Sequence, residues 1–217
     1  MILLFSGGID SFVAYHFLKK PPTVYFDLNS RYTEKEKRIV KELIPTTLID
    51  SALSIGDREV GEKAYVPFRN LLLAALAVKY SDTIIIAGVK DDVVSDKNEQ
   101  IFEKISTLLS EMEGRSIKVI SPFWQMTKAQ VVRWYLENSG ESLDLLATVS
   151  CYSSEPTNYC GACPSCFRKW IALRSNGIDI HFINLQLMQE YYEAAKSGKY
   201  ISERNEGIIR EIDAYCS

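Results

Sequence analysis

The chain has 217 residues, 47% of them hydrophobic, enough to bury one globular core with a small appendage. A net charge of −3 and a pI near 5.6 give no basic footprint, so an extended nucleic-acid surface is not expected and only a local patch stays open. No leader-like segment precedes the first apolar run and no run is long enough to cross a membrane, so a cytoplasmic protein acting on a small molecule is expected. In that reducing setting the five cysteines read as metal ligands or reactive thiols rather than disulfides.

In chain order, Ile2 to Phe5 read as a short buried strand, and "DSFVAYHFLKK" places apolar residues at helical spacing after it. The loop between them, "SGGIDS", has the chemistry of a phosphate cradle. Gly7 and Gly8 free the backbone for close approach, while Ser6, Ser11 and the first helical N–H groups offer donors to an anion. Neither "GxxxxGK[ST]" nor "GxGxxG" is present. The plainer alternative is a tight βα turn with an Asp or Ser cap. Further strands are predicted at 23–28, 46–50, 82–88 and 117–122, and helices at 10–19, 33–43, 70–80, 98–113 and 127–138. Pro45 closes the second helix, and Asn70 and Thr127 are the expected N-caps of the third and fifth. Residues 51–69 form a looser connection that carries "VPFRN".

This alternation predicts an α/β fold, a doubly wound, Rossmann-like parallel sheet of five strands spanning residues 1–146. Residues 147–217 form a cysteine segment followed by helices, with no internal repeat. Ligands of such sheets bind outside the carboxyl ends of the strands. There Gly88 allows close approach of a ligand, Asp91 and Asp92 offer oxygens to magnesium, and Lys128 opens a helix where a cation is favoured only beside an anion. Each also has a plain reading: "DD" as a solvated turn, Lys128 as an exposed lysine at slight cost.

Cys151, Cys160, Cys163 and Cys166 are spaced C-x8-C-x2-C-x2-C, which suits a closed tetrahedral zinc site, with an iron–sulfur cluster as the alternative. Cys216 reads as a bystander, and His16 and His181 as packed or surface histidines.

Taken in order, these motifs resemble a known family. "SGGIDS" looks like the pyrophosphate loop of the N-type ATP pyrophosphatases, or adenine nucleotide alpha hydrolase-like proteins. "VPFRN" followed by "LLLAALAVKY", then "TKAQVV", then "CY" with "CGACPSC" resemble the 7-cyano-7-deazaguanine synthases of queuosine biosynthesis, from Leu4 to about Arg168. The resemblance implies a ligase, working as a homodimer with ATP, Mg2+ and Zn2+, that adenylates a small-molecule carboxylate and joins it to ammonia. It implies nucleotide contacts at Phe5, Ser6, Gly7, Gly8, Asp10, Ser11, Arg69, Asn70, Gly88 and Lys128, with Ser6, Asp10, Ser11 and Lys128 in the chemistry. The four cysteines match the family zinc site in type and order.

The chain also departs from the pattern. Arg31 matches a family arginine after the second strand, but the histidine expected beside it is Tyr32. After the fourth strand a "SGYPDCR"-like stretch that lines the deazaguanine pocket is replaced by "GVKDDVVSDKNEQIF", leaving Asp92 and Asp96 as the carboxylates for the substrate. Activation by ATP is therefore better supported than the deazaguanine substrate, and another carboxylate or a protein amine as acceptor stays open. A tRNA-thiolating enzyme would want a basic RNA surface, and a noncatalytic zinc scaffold would not need the retained loop, Arg69 and Lys128.

Overall fold

Five parallel strands form one sheet in the order β3-β2-β1-β4-β5. They are β1 (Ile2–Leu4), β2 (Thr23–Phe26), β3 (Leu48–Asp50), β4 (Thr83–Ile85) and β5 (Lys118–Ile120). The computed structural model describes residues 1–60, 65–138, 140–155 and 157–216. Between the strands run α1 (Ile9–Phe17), α2 (Thr33–Leu43), α3 (Arg69–Ala77) and α4 (Glu99–Glu113), and α5 (Lys128–Asn138) follows β5. This is the doubly wound α/β arrangement expected from the alternation, with the chain reversing direction across the sheet between β1 and β4.

Period-2 alternation divides the strand side chains between two cores. Ile2 and Leu4 pack with Ala74, Phe102 and Leu109 on the α3/α4 face, whereas Leu3 and Phe5 pack with Phe12, Val131 and Tyr135 on the α1/α5 face. Burying each such side chain contributes roughly 1.5–3 kcal/mol. The strands are shorter than the apolar runs that predict them. Their continuations, Phe5 after β1 and Ile86 and Ala87 after β4, line a cavity at the carboxyl edge.

Helix ends follow local chemistry. α2 stops at Leu43, and Ile44, ahead of Pro45, is extended at φ −138° and ψ 86°. Thr127 caps α5 as expected: its hydroxyl accepts from Gln130 N at 3.3 Å while Gln130 Oε1 accepts from Thr127 N at 2.8 Å, a reciprocal box. Asn70 does not cap α3. The helix begins one residue earlier, after Phe68 in a left-handed conformation at φ +59°, so Asn70 lies inside the first turn and is buried. The looser connection holds a 3-10 turn at Gly56–Arg58 and a bridge between Val60 and Tyr65, and its residues 61–64 lie outside the described ones.

Beyond the sheet come α6 (Ser142–Ala147), α7 (Pro164–Arg174), α8 (Leu185–Lys196) and α9 (Ser202–Cys216). Ala172 and Leu173 of α7 join the α1/α5 core, while Phe167 and Trp170 pack with Leu187, Met188, Ile208 and Ile212 of the last two helices. Among the described residues no helix is long and apolar enough to cross a membrane.

Candidate active site and cysteine cluster

The β1–α1 loop forms one wall of a cavity of about 210 Å³. Gly7 takes φ +70°, and a Cβ there would sit 3.1 Å from Ile39 Cγ2, so the turn closes tightly against α2. Gly8 is the N-cap of α1 and supplies no capping side chain. The Ser11 hydroxyl donates back to Gly8 O at 3.0 Å and lies 3.4 Å from Ser6 Oγ. The leading N–H groups of α1 therefore have neither intrahelical acceptors nor a side-chain cap, which is the state of an anion-binding helix start. Val149 N donates to Gly7 O at 2.8 Å, tying this loop to the segment that leads into Cys151.

Lys128 reaches the same cavity from the first turn of α5, buried, with its ammonium on both oxygens of Asp10. Burial pushes its pKa down and Asp10 opposes the shift. Its backbone N–H is held by Asp91 Oδ1 at 2.9 Å. Asp92 is enclosed at 1% side-chain exposure, 2.5 Å from Arg168 Nη2 and 3.1 Å from Lys97 Nζ. Burial disfavours its charge, but Lys97 and Arg168 outweigh that and hold it well below the usual carboxylate range. Asp92 is thus paired with two cations of this chain and does not fit the magnesium role expected of it, whereas Asp91 spends only Oδ1, on one backbone N–H.

Of the residues singled out from the sequence, the cavity brings together Phe5, Ser6, Gly8, Asp10, Ser11, Arg69, Asn70 and Lys128. Gly7, Arg31, Gly88, Asp92 and Asp96 are not among its lining residues. Arg31 pairs with Glu59 at 3.1 Å. The space left by Gly88 is taken by Trp124, whose ring would lie 2.3 Å from a Cβ, rather than by a ligand. Asp96 keeps Oδ1 buried without a hydrogen-bond donor, and its charge acts on Arg69.

Several lining residues carry no sequence signal of their own. Glu36 faces the cavity from α2, its Oε2 accepting from Tyr25 Oη at 2.9 Å. Burial raises its pKa to about 7 against the hydrogen bond from Tyr25 and the charges of Arg69 and Lys35. Tyr32 and Tyr152, with ring centroids 5.6 Å apart, stand on the same side. Arg168 and Lys169 enter from α7, one turn beyond the cysteines. Helical periodicity marks α2 and α7 as amphipathic but cannot say that a charged residue faces a cavity rather than solvent.

The thiols of Cys151, Cys160, Cys163 and Cys166 lie within 4.8 Å of one another, and none forms a disulfide. Backbone N–H groups of Ser153, Ala162 and Cys166 approach the sulfurs of Cys151, Cys160 and Cys163 at 3.4 Å each, a donor set suited to thiolates. The cluster fits one tetrahedral zinc of the closed kind. Two lysines shape the surrounding chain. Lys35 donates to the carbonyls of Ser153, Glu155 and Thr157 at 2.8, 3.1 and 3.2 Å. Lys169 donates to Thr148 O, Thr148 Oγ1 and Tyr159 Oη at 2.6 to 2.7 Å. Gly161, at φ +70°, lets the loop pass so close to Phe182 O that a Cβ would sit 1.9 Å from it.

Comparison with known proteins agrees with this geometry. The family model described as "Queuosine biosynthesis protein QueC" matches residues 37–177, more than half of the chain. Curated relatives named 7-cyano-7-deazaguanine synthase include one from Staphylococcus epidermidis, 29% identical over 209 residues that cover 82% of this chain and 91% of the relative. The protein of that name from Chlorobaculum parvum is 26% identical over 82% of this chain and 92% of its own length. The one from Campylobacter jejuni subsp. doylei is 26% identical over 76% and 89%.

Proposed function

The chain belongs to the family of queuosine biosynthesis protein QueC, and we propose that it is an ATP-dependent ligase that activates 7-carboxy-7-deazaguanine and joins it to ammonia, forming the amide and then the nitrile. The observation that carries this reading is the seating of Lys128 on Asp10 beside the free helix start of α1, in one cavity with Arg69 and Asn70.

A carboxylate is a poor acyl donor because its leaving group would be oxide. Attack of its oxygen on the α-phosphorus of ATP breaks the bond to the bridging oxygen, releases pyrophosphate and leaves the acid joined to AMP, a far better leaving group. Charge develops on the departing pyrophosphate. In this reading the leading N–H groups of α1, the hydroxyls of Ser6 and Ser11 and the ammonium of Lys128 meet that charge, pre-aimed by the loop and by Asp10 and Asp91. Ammonia then displaces AMP to give the amide. A second ATP takes the amide oxygen in the same way, and loss of AMP with two protons leaves the nitrile. No step needs a covalent nucleophile from the chain. Zinc on the four cysteines supplies a cross-link that fixes the Tyr152 loop and the start of α7, not chemistry.

A second reading keeps the activation and changes the acid. The enclosure of Asp92 favours it, because the stretch that lines the family's base pocket is absent and, of its replacement, Asp92 is spent on Lys97 and Arg168 while Lys97 alone lines the cavity. The test is incubation with ATP, magnesium, ammonium and 7-carboxy-7-deazaguanine, following AMP, pyrophosphate and the base by mass spectrometry. Conversion of the acid to amide or nitrile is the expected result. AMP and pyrophosphate with the base left unconverted by ammonia would point to another acceptor, and no turnover would leave the first reading without support.

A further inference from the structure

Two carboxylates line the described cavity, Asp10 and Glu36. Asp10 is committed to Lys128. Glu36 accepts from Tyr25 Oη at 2.9 Å through Oε2, which leaves Oε1 and the second lone pair of Oε2 for donors within the cavity. It lines the cavity together with Tyr32 and Tyr152, two aromatic rings suited to stacking on a planar base. The loop after β4, which would otherwise carry substrate contacts, spends Asp92 on Lys97 and Arg168.

From this arrangement we infer that Glu36 reads the base of the substrate, its carboxylate accepting from the adjacent ring N–H and exocyclic amine of a 2-aminopyrimidinone edge. The inference rests on the deazaguanine-acid reading above. A guanine-type edge presents two neighbouring donors, which match the two acceptor oxygens of a carboxylate. An adenine edge presents one donor, its amine, beside a ring acceptor, so it offers a carboxylate one hydrogen bond where the guanine-type edge offers two, and the base of the acid rather than that of ATP is assigned to Glu36.

The experiment is steady-state AMP release by the full chain with 7-carboxy-7-deazaguanine and with its analogue lacking the 2-amino group, for wild type and Glu36→Gln, measuring KM for each base and for ATP. The wild type is expected to favour the amino-bearing acid by about 10- to 100-fold, the worth of one hydrogen bond to a charged group. Glu36→Gln should reduce that preference to within about threefold and leave KM for ATP unchanged. Glu36→Asp, which keeps the charge and retracts it by one methylene, should retain part of the preference. A preference that survives Glu36→Gln, or a rise in KM for ATP in its place, would overturn the inference while leaving the proposed function standing. Absence of AMP release from the wild type with either base would instead remove the proposed function and this inference with it.

Discussion

Glu36 and Lys128 line one cavity and face opposite electrostatic problems. Lys128 must stay charged while buried, and Asp10 provides for that. Replacing Lys128 by Met should cut AMP formation at least 100-fold, about 2.7 kcal/mol of barrier. It also leaves the half-buried Asp10 without its partner, so the midpoint of thermal unfolding should fall. Unchanged turnover would remove the cradle from the mechanism. Glu36 has the reverse behaviour. Its folded pKa, about 7, lies above the ordinary 4.5, so the stability this group contributes is complete below about pH 4.5 and is lost as pH rises through 7. Glu36→Gln should therefore melt higher than the wild type at pH 8 and level with it at pH 5; an equal gap at both pH values would contradict a carboxyl group whose charge burial disfavours. That Ser6, Gly8, Asp10, Ser11 and Lys128 gather at one cavity was legible because glycine, serine and a misplaced lysine have few other reasons to stand at βα junctions. Glu36, Arg168 and Lys169 were not, since a charged residue on an amphipathic helix looks the same whether it meets solvent or a cavity.

At the scale of elements, the cysteine segment and α2 act as one unit. Lys35 donates to the carbonyls of Ser153, Glu155 and Thr157, and Cys163 caps α7 by accepting from Cys166 N. About one zinc per chain should be found by metal analysis, and Cys163→Ser should lower both zinc content and melting temperature. A metal-free chain of full stability would end that assignment. Lys35→Met should loosen the segment without touching a cysteine, seen as faster zinc loss to a chelator. All five strands and the first five helices could be placed from periodicity because each joins a continuous apolar face to a Gly, Pro or polar stop. Where expectation and structure part, the cause is local. α3 starts at Arg69 because Phe68 accepts a left-handed conformation, which no propensity for phenylalanine would suggest. Gly88 makes room for the Trp124 ring, a partner 36 residues on that no local pattern reveals.

For the whole molecule, α9 braces the loop beside the site from outside the segment that the family model matches. Arg204 of α9 donates from Nη1 to Asp91 O at 2.8 Å, and Asp91 in turn holds the N–H of Lys128. Glu203 pairs with Lys90 in the same loop at 2.5 Å. Arg204→Ala should lower kcat roughly tenfold, a loss of about 1.4 kcal/mol, and Arg204→Lys should recover part of it. Wild-type kcat in Arg204→Ala would show that α9 does not support the lysine. The reversal of strand order between β1 and β4 opens the crevice, α1 and α5 bring anion-binding groups to it, and α2 and α3 supply Glu36 and Arg69 from either side.

The central claim is that this crevice activates an acid at the α-phosphate of ATP. Exchange of labelled pyrophosphate into ATP, run without ammonium and with or without 7-carboxy-7-deazaguanine, tests it most directly. Label should enter ATP only when the acid is present, and not at all with Lys128→Met. Exchange that ignores the acid, or cleavage of ATP to ADP and phosphate in its place, would contradict the account.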